Sequence, residues 1–127
     1  ISDPGQRLRT YKRITSAETT EILGAIREEI KDRYGNLPDS VENLFAYAKL
    51  RRLADRISVI SVESDTKTIA IKFRPEARVD PEKLAAFIAA SDSATFSPNG
   101  ILRFRIVKKN PIVAAIDALK AISREAL

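Results

Sequence analysis

The sequence predicts an α+β fold: a helical hairpin followed by a ββαββα segment, with four antiparallel strands in one sheet and helices on one of its faces. Three observations carry this reading. Apolar residues recur every three or four positions as far as Arg56. The period drops to two from Ile57 onward. Two proline-opened helix starts, Asp80-Pro81-Glu82 and Asn110-Pro111, then interrupt the period-two stretch.

Each element follows from local chemistry. Leu8, Tyr11 and Ile14 are spaced by three, which suits a short amphipathic helix that Asp3-Pro4 can start. Thr19 or Thr20 is an N-cap for a second helix with Ile22, Leu23, Ile26 and Ile30 on one face. Gly35 supplies the left-handed residue that ends it. Asn36-Leu37-Pro38 is a tight connection, after which Asp39 or Ser40 can cap a third helix. Its apolar positions are Val41, Leu44, Phe45, Ala48, Leu53 and Ala54, and it extends to about Arg56. So short a loop implies that helices two and three are antiparallel.

Beyond Ile57, Val59 to Glu63 and Thr68 to Phe73 read as a hairpin through Ser64-Asp65-Thr66-Lys67, with Ile69, Ile71 and Phe73 inward. The helix opened by Pro81 carries Leu84, Phe87 and Ile88. A second hairpin runs from Thr95-Phe96 through Ser97-Pro98-Asn99-Gly100 into a strand with Leu102, Phe104 and Ile106 inward. Pro111 opens the last helix, with Val113, Ile116, Leu119 and Ile122 or Ala126 on its apolar side. The chain is expected to be a single domain with one core: a leading helix or linker over 1–18, the helical hairpin over 19–56 and the ββαββα part over 57–127.

Composition bounds the chemistry. With 127 residues, no cysteine and no histidine, the chain lacks the commonest general base, the usual zinc ligands and the strongest nucleophile. Its four glycines, Gly5, Gly24, Gly35 and Gly100, are isolated, so they build neither a dinucleotide fingerprint nor a phosphate loop. No catalytic residue, cofactor or metal site is expected. No apolar run approaches the ~20 residues that span a bilayer, so a soluble, cytoplasmic protein is expected. A chain that starts at Ile1 and contains no Met reads as a fragment of a longer protein.

Two groups of charged residues are candidate surfaces. Glu28, Glu29 and Asp32 sit in the last turns of the second helix, where carboxylates face the negative end of the macrodipole and Lys or Arg would be favoured by about 0.3–1 kcal/mol each. Either they pair locally, Glu29 with Arg33 and Glu28 with Lys31, or they meet a basic partner. Lys72, Arg74, Arg103 and Arg105, with Lys108 and Lys109 just beyond, fall on or near the outer sheet face and could track phosphate. The inward parity of Phe73 and Phe104 leaves no interleaved ring for base stacking, and solvated strands are commonly charged. Lys49, Arg51, Arg52 and Arg56 on helix three read as a solvated helix face.

The stretches "RLRTYKRITSAET", "IREEIKDRYGNLPDSVENL" and "AKLRRLADRI" together resemble the C-terminal domain of the bacterial transcription-repair coupling factor. The resemblance is strongest over residues 7–57. It rests on Arg7-Leu8-x-x-Tyr11-Lys12-Arg13, on Asp32-Arg33-Tyr34-Gly35-x-Leu37-Pro38 and on Val41-Glu42-Asn43-Leu44. Tyr34 stands where Phe is common in the family, and Asn36 where Pro is common; both keep the turn.

The resemblance implies a regulatory role. The full-length family member is an ATP-driven translocase on double-stranded DNA that removes stalled RNA polymerase and recruits the repair protein UvrA; its motor motifs are absent here. The C-terminal domain is similar to a lid that packs on the UvrB-like module of the same protein and hides the UvrA-binding surface. By that resemblance Glu29 and Asp32, flanked by Glu28 and Arg33, are the expected docking residues, with Gly35 and Pro38 shaping the turn behind them. The alternative is a nucleic-acid-binding module using Lys72, Arg74, Arg103 and Arg105, although DNA binding by this segment is expected to be weak.

Overall fold

The computed structural model describes residues 4–91, 93–106 and 110–125. Asp3, Lys108, Lys109 and Ala126, named above, lie outside them. The order of elements is α1 (Pro4–Ser16), α2 (Thr20–Tyr34), α3 (Asp39–Ile57), β1 (Val59–Ser64), β2 (Thr68–Phe73), α4 (Pro81–Ala90), β3 (Thr95–Phe96), β4 (Ile101–Arg105) and α5 (Pro111–Ile122). This is the α+β arrangement of five helices and one four-stranded antiparallel sheet. Contacts divide the chain into two compact units, Ile1–Arg52 and Leu53–Leu127, with the boundary inside α3.

In the first unit a helical core gathers Ile14, Ala17, Leu23, Ile26, Ile30, Phe45 and Ala48, with Leu37, Val41 and Leu44 packed against it. Thr19 caps α2 as expected: its hydroxyl accepts from the Ile22 amide at 3.1 Å. The start of α3 differs from expectation. The Pro38 carbonyl accepts from the amides of Val41 and Glu42, both at 3.0 Å, so Pro38 holds the position before the first turn and Asp39 is already helical. The leading helix also differs. Ile14 is buried, but Leu8 and Tyr11 are half exposed. A spacing of three falls about 60° short of a full turn at each step, which rotates Leu8 about 120° away from Ile14. Ile22, next to buried Leu23, is likewise nearly half exposed.

In the second unit the strand order is β1-β2-β4-β3, all neighbours antiparallel. Alternation along β2 buries Ile69, Ile71 and Phe73, and on β4 it buries Leu102 and Phe104. The register pairs Ile69 with Phe104 and Ile71 with Leu102, so the apolar sets share one face. Helix α4 reaches that face through Phe87, whose ring meets Phe104 edge-on at 5.3 Å. Asp80 caps α4 by accepting from Glu82 and Lys83, and Asn110 caps α5 by accepting from Ile112. Helix α5 buries Ala114, Ala115, Ile116, Ala118, Leu119 and Ile122. Val113, expected inward, is 40% exposed because the small alanines carry that face instead. The end of α5 is stitched to the segment before α4: Asp80 donates to Ile122, Arg124 donates to Arg78, and the Lys83 ammonium reaches the Ser123 carbonyl.

Two turns require glycine. Gly100 has φ +81°, and a Cβ there would lie 3.1 Å from the Phe73 carbonyl oxygen. Gly35, whose amide donates to Lys31 at 2.8 Å, has φ +83° and ψ −156°. That is positive φ, as the sequence predicts, but the ψ is extended and not left-handed helical, a region essentially restricted to glycine. No atom crowds the position. The penalty for a side chain is therefore conformational, and Gly35→Val should destabilise the protein by about 1–3 kcal/mol. Denaturant unfolding measures it; an unchanged midpoint would mean that the turn accepts another conformation at no cost.

Candidate functional site

The carboxylates at the end of α2 occupy one exposed surface, but their partners are not those the helix periodicity suggests. Glu29 accepts from the Arg13 guanidinium of α1 at 2.5 Å. That hydrogen bond, then the charge of Arg13, holds the Glu29 carboxyl below its ordinary value, with Arg33 acting only through weaker charge attraction. Glu28 accepts from its neighbour Arg27 at 3.2 Å in place of Lys31. Arg33 lies 5.7 Å from the centre of the Tyr34 ring, and the Tyr34 hydroxyl donates to Gln6 of α1. Asp32 is exposed and has no ion-pair or hydrogen-bond partner among the described residues.

Arg27 also makes the best-formed ion pair of this unit. Its Nε and Nη2 donate to the two carboxylate oxygens of Glu42, each at 2.9 Å, a two-pronged contact joining α2 to α3. The hydrogen bond from Arg27 lowers the Glu42 pKa and outweighs the opposing effect of desolvation. Neither this pair nor Arg13–Glu29 has a local signature in the sequence, since the partners lie 15 and 16 positions apart.

The basic candidates are distributed differently. Lys72, Arg103 and Arg105 are exposed on the outer parity of β2 and β4, where the register sets Arg103 opposite Ala70 and Arg105 opposite Thr68. Arg74 is exposed just past β2, its amide bonded to the Ser58 carbonyl. On α3 the cations are not one solvated patch: Arg56 donates to Glu125, while Lys49 and Arg52 are half-buried. Among the described residues no group of three or more His, Cys, Asp or Glu is placed to hold a metal ion, and no helix is long and apolar enough to cross a membrane.

The profile of the TRCF domain family matches residues 1–84, from α1 into α4, and so includes the α2 surface. The chain belongs to the TRCF domain family. Among curated proteins, this TRCF domain is 30% identical to the transcription-repair-coupling factor of Haemophilus influenzae, over 97% of this chain and 11% of that protein. It is 36% identical to the factor of Escherichia coli K12, over 69% of this chain and 8% of that protein. It is 34% identical to the factor of Bacillus subtilis 168, over 66% and 7%. The chain thus spans about a tenth of the length of the relatives it matches. A crystal structure of the C-terminal domain of transcription-repair coupling factor superposes with a TM-score of 0.75 over 97% of this chain and 84% of that one. At 21% identity it establishes the shared fold.

The depressed carboxyl groups make stability pH-dependent. Glu29 and Glu42 titrate below their ordinary values when folded, so their contribution is fully present above the unfolded carboxylate range and is lost as the pH falls through the folded values. Urea unfolding should show a falling midpoint from about pH 5 downward. Glu42→Gln should lower the midpoint at pH 7 and flatten that acid-side slope. An unaltered slope in the variant would assign the acid sensitivity to other groups.

Proposed function

We propose that this TRCF domain is an autoinhibitory docking element of a transcription-coupled DNA repair translocase, acting in the cytoplasm. It packs on the UvrB-like module of its own parent protein and masks the UvrA-binding surface. Beside the family assignment, the observation that carries the reading is Asp32. This exposed carboxylate lies at the negative end of α2, where a cation would be favoured, and it has no ion-pair or hydrogen-bond partner among the described residues. Glu29 presents the same charge one helical turn earlier, held in place by Arg13. A basic partner surface would offset the local cost and align the domain through charge complementarity.

The mechanism is a population shift. The domain binds only the closed state, and whatever engages the open state, stalled RNA polymerase or UvrA, releases it. A 99:1 preference for closed needs about 2.7 kcal/mol, which two or three interface pairs can set. The domain itself needs no nucleotide, metal or catalytic side chain for this role. The basic outer face of the sheet supports the alternative, phosphate-driven DNA binding through Lys72, Arg74, Arg103 and Arg105. Such binding must be strong at low salt and fall steeply as salt rises.

Reversing charge at both docking residues tests the proposal. In the intact parent protein, Glu29→Lys with Asp32→Lys should increase UvrA affinity and raise basal ATPase in the absence of stalled polymerase, because like charges across the contact cost several kcal/mol. Asp32→Lys alone should act in the same direction while leaving Arg13–Glu29 intact. The melting temperature of the isolated domain should barely change in the single variant, since positive charge suits that helix end. A sharply lower melting temperature with unchanged UvrA affinity and ATPase would make the carboxylates structural and overturn the docking role.

A further inference from the structure

At the end of the sheet where β2 runs out, a groove of about 490 Å³ opens. Its apolar lining includes Ile60, Phe73, Val79, Phe96 and Pro98, and Lys72 and Arg74 stand among the same walls. Two of these residues are exposed in a way that folding does not require. Ile60 is 48% exposed and Phe96 41%, and both face this groove. Ile60 sits where the β1–β2 register slips between Val59 and Ser61, and such an irregularity re-aims a side chain at the expense of ladder pairing. Phe96 belongs to a strand of only two residues, its ring 6.3 Å from that of Phe73 and tilted by 48°. Sequence parity hid this ring: Phe73 and Phe104 are buried, but Phe96 on the edge strand is not.

Among the described residues no Asp or Glu lines the groove, and neither Lys72 nor Arg74 has an acidic partner. Arg103, on the same outer face as Lys72, adds to the positive potential. An apolar concavity with an uncompensated cationic rim is complementary to an apolar anchor flanked by carboxylates. A nucleic-acid strand fits less well. Among the described residues, one exposed ring and two cations offer a single stacking position where tracking a strand takes several, and Asn99 is the one uncharged polar side chain in the lining to meet a base edge.

We propose that this groove seats one large apolar side chain, aromatic or leucine, from an acidic segment of a partner protein, with the segment's carboxylates on Lys72 and Arg74. The groove shares no residue with the α2 carboxylate surface, so the two proposals stand or fall separately.

The chain contains no Trp, which makes an indole on the probe the only one in solution. The peptide acetyl-Asp-Glu-Trp-Glu-Asp-amide, titrated with the 127-residue protein, should show a saturable blue shift of its emission that weakens as salt is raised. Lys72→Glu with Arg74→Glu should reduce affinity by about tenfold or more. Phe96→Ala should also reduce it about tenfold, and Ile60→Ser should do so without relying on a residue in ring contact with the core. Circular dichroism melting checks that each variant is folded. The proposal is overturned by the absence of saturable binding, or by equal affinity for acetyl-Lys-Arg-Trp-Arg-Lys-amide. Undiminished binding by the folded Ile60→Ser and charge-reversed proteins would also overturn it. So would an Ala-for-Trp analogue that displaces the Trp peptide with an inhibition constant equal to the peptide's own Kd. Displacement of the Trp peptide by oligothymidylate with an inhibition constant below the peptide's own Kd would assign the groove to nucleic acid instead.

Discussion

The alternation of side chains along β2 is the constraint on which the second unit depends. This strand is paired on both sides, with β1 and with β4, so its parity sets theirs. Ile69, Ile71 and Phe73 are buried to within a few per cent while Thr68 and Lys72 are exposed. A slip of one residue would send the cations inward and the apolar residues outward, an exchange no core tolerates. Two devices hold the register. At one end of β2, Asp65 accepts from the amides of Lys67 and Thr68, each at 2.8 Å, and from the Thr68 hydroxyl, which lowers its pKa. At the other end Phe73 donates to the Gly100 carbonyl at 2.9 Å across a turn that a side chain at Gly100 would crowd.

The first unit is organised by packing, with ion pairs added at its edges. Its apolar core is contributed by α1, α2 and α3 together, and Arg13–Glu29 and Arg27–Glu42 connect those helices outside it. All four side chains are substantially exposed, so the pairs orient the helices more than they stabilise them. This arrangement bears on docking. Glu29 and Glu42 are engaged by Arg13 and Arg27, whereas Asp32 has no ion-pair or hydrogen-bond partner among the described residues. A surface ordered in advance by internal pairs, with an exposed carboxylate beside them that has no partner among the described residues, suits a contact that must form and release.

The two surfaces rest on different physics. At the end of α2 the signal is charge against a helix dipole, which periodicity makes visible because the residues share one element. At the end of the sheet the signal is a cavity, formed by β1, β2, β3 and the loops around them, whose cations and apolar walls come from segments up to 40 positions apart in sequence. The first lies within the residues that match the family, 1–84; the second includes residues beyond that match.

The sequence by itself determined the order and type of every named element, because capping chemistry and the switch from helical to strand periodicity are local. Thr19, Asp80 and Asn110 cap where their side chains allow, Pro81 and Pro111 open helices because they need no amide partner there, and Gly35 turns because only glycine reaches its conformation. What the tertiary structure alone decided is which side chains meet across elements. Arg13 took Glu29 from its helical neighbour Arg33, Val113 yielded the buried face of α5 to alanines, and β3 lies at the sheet edge with Phe96 exposed beside Phe73. Those outcomes depend on strand order and helix placement, which arise from how apolar faces pack over long separations, and no short window of sequence contains that information.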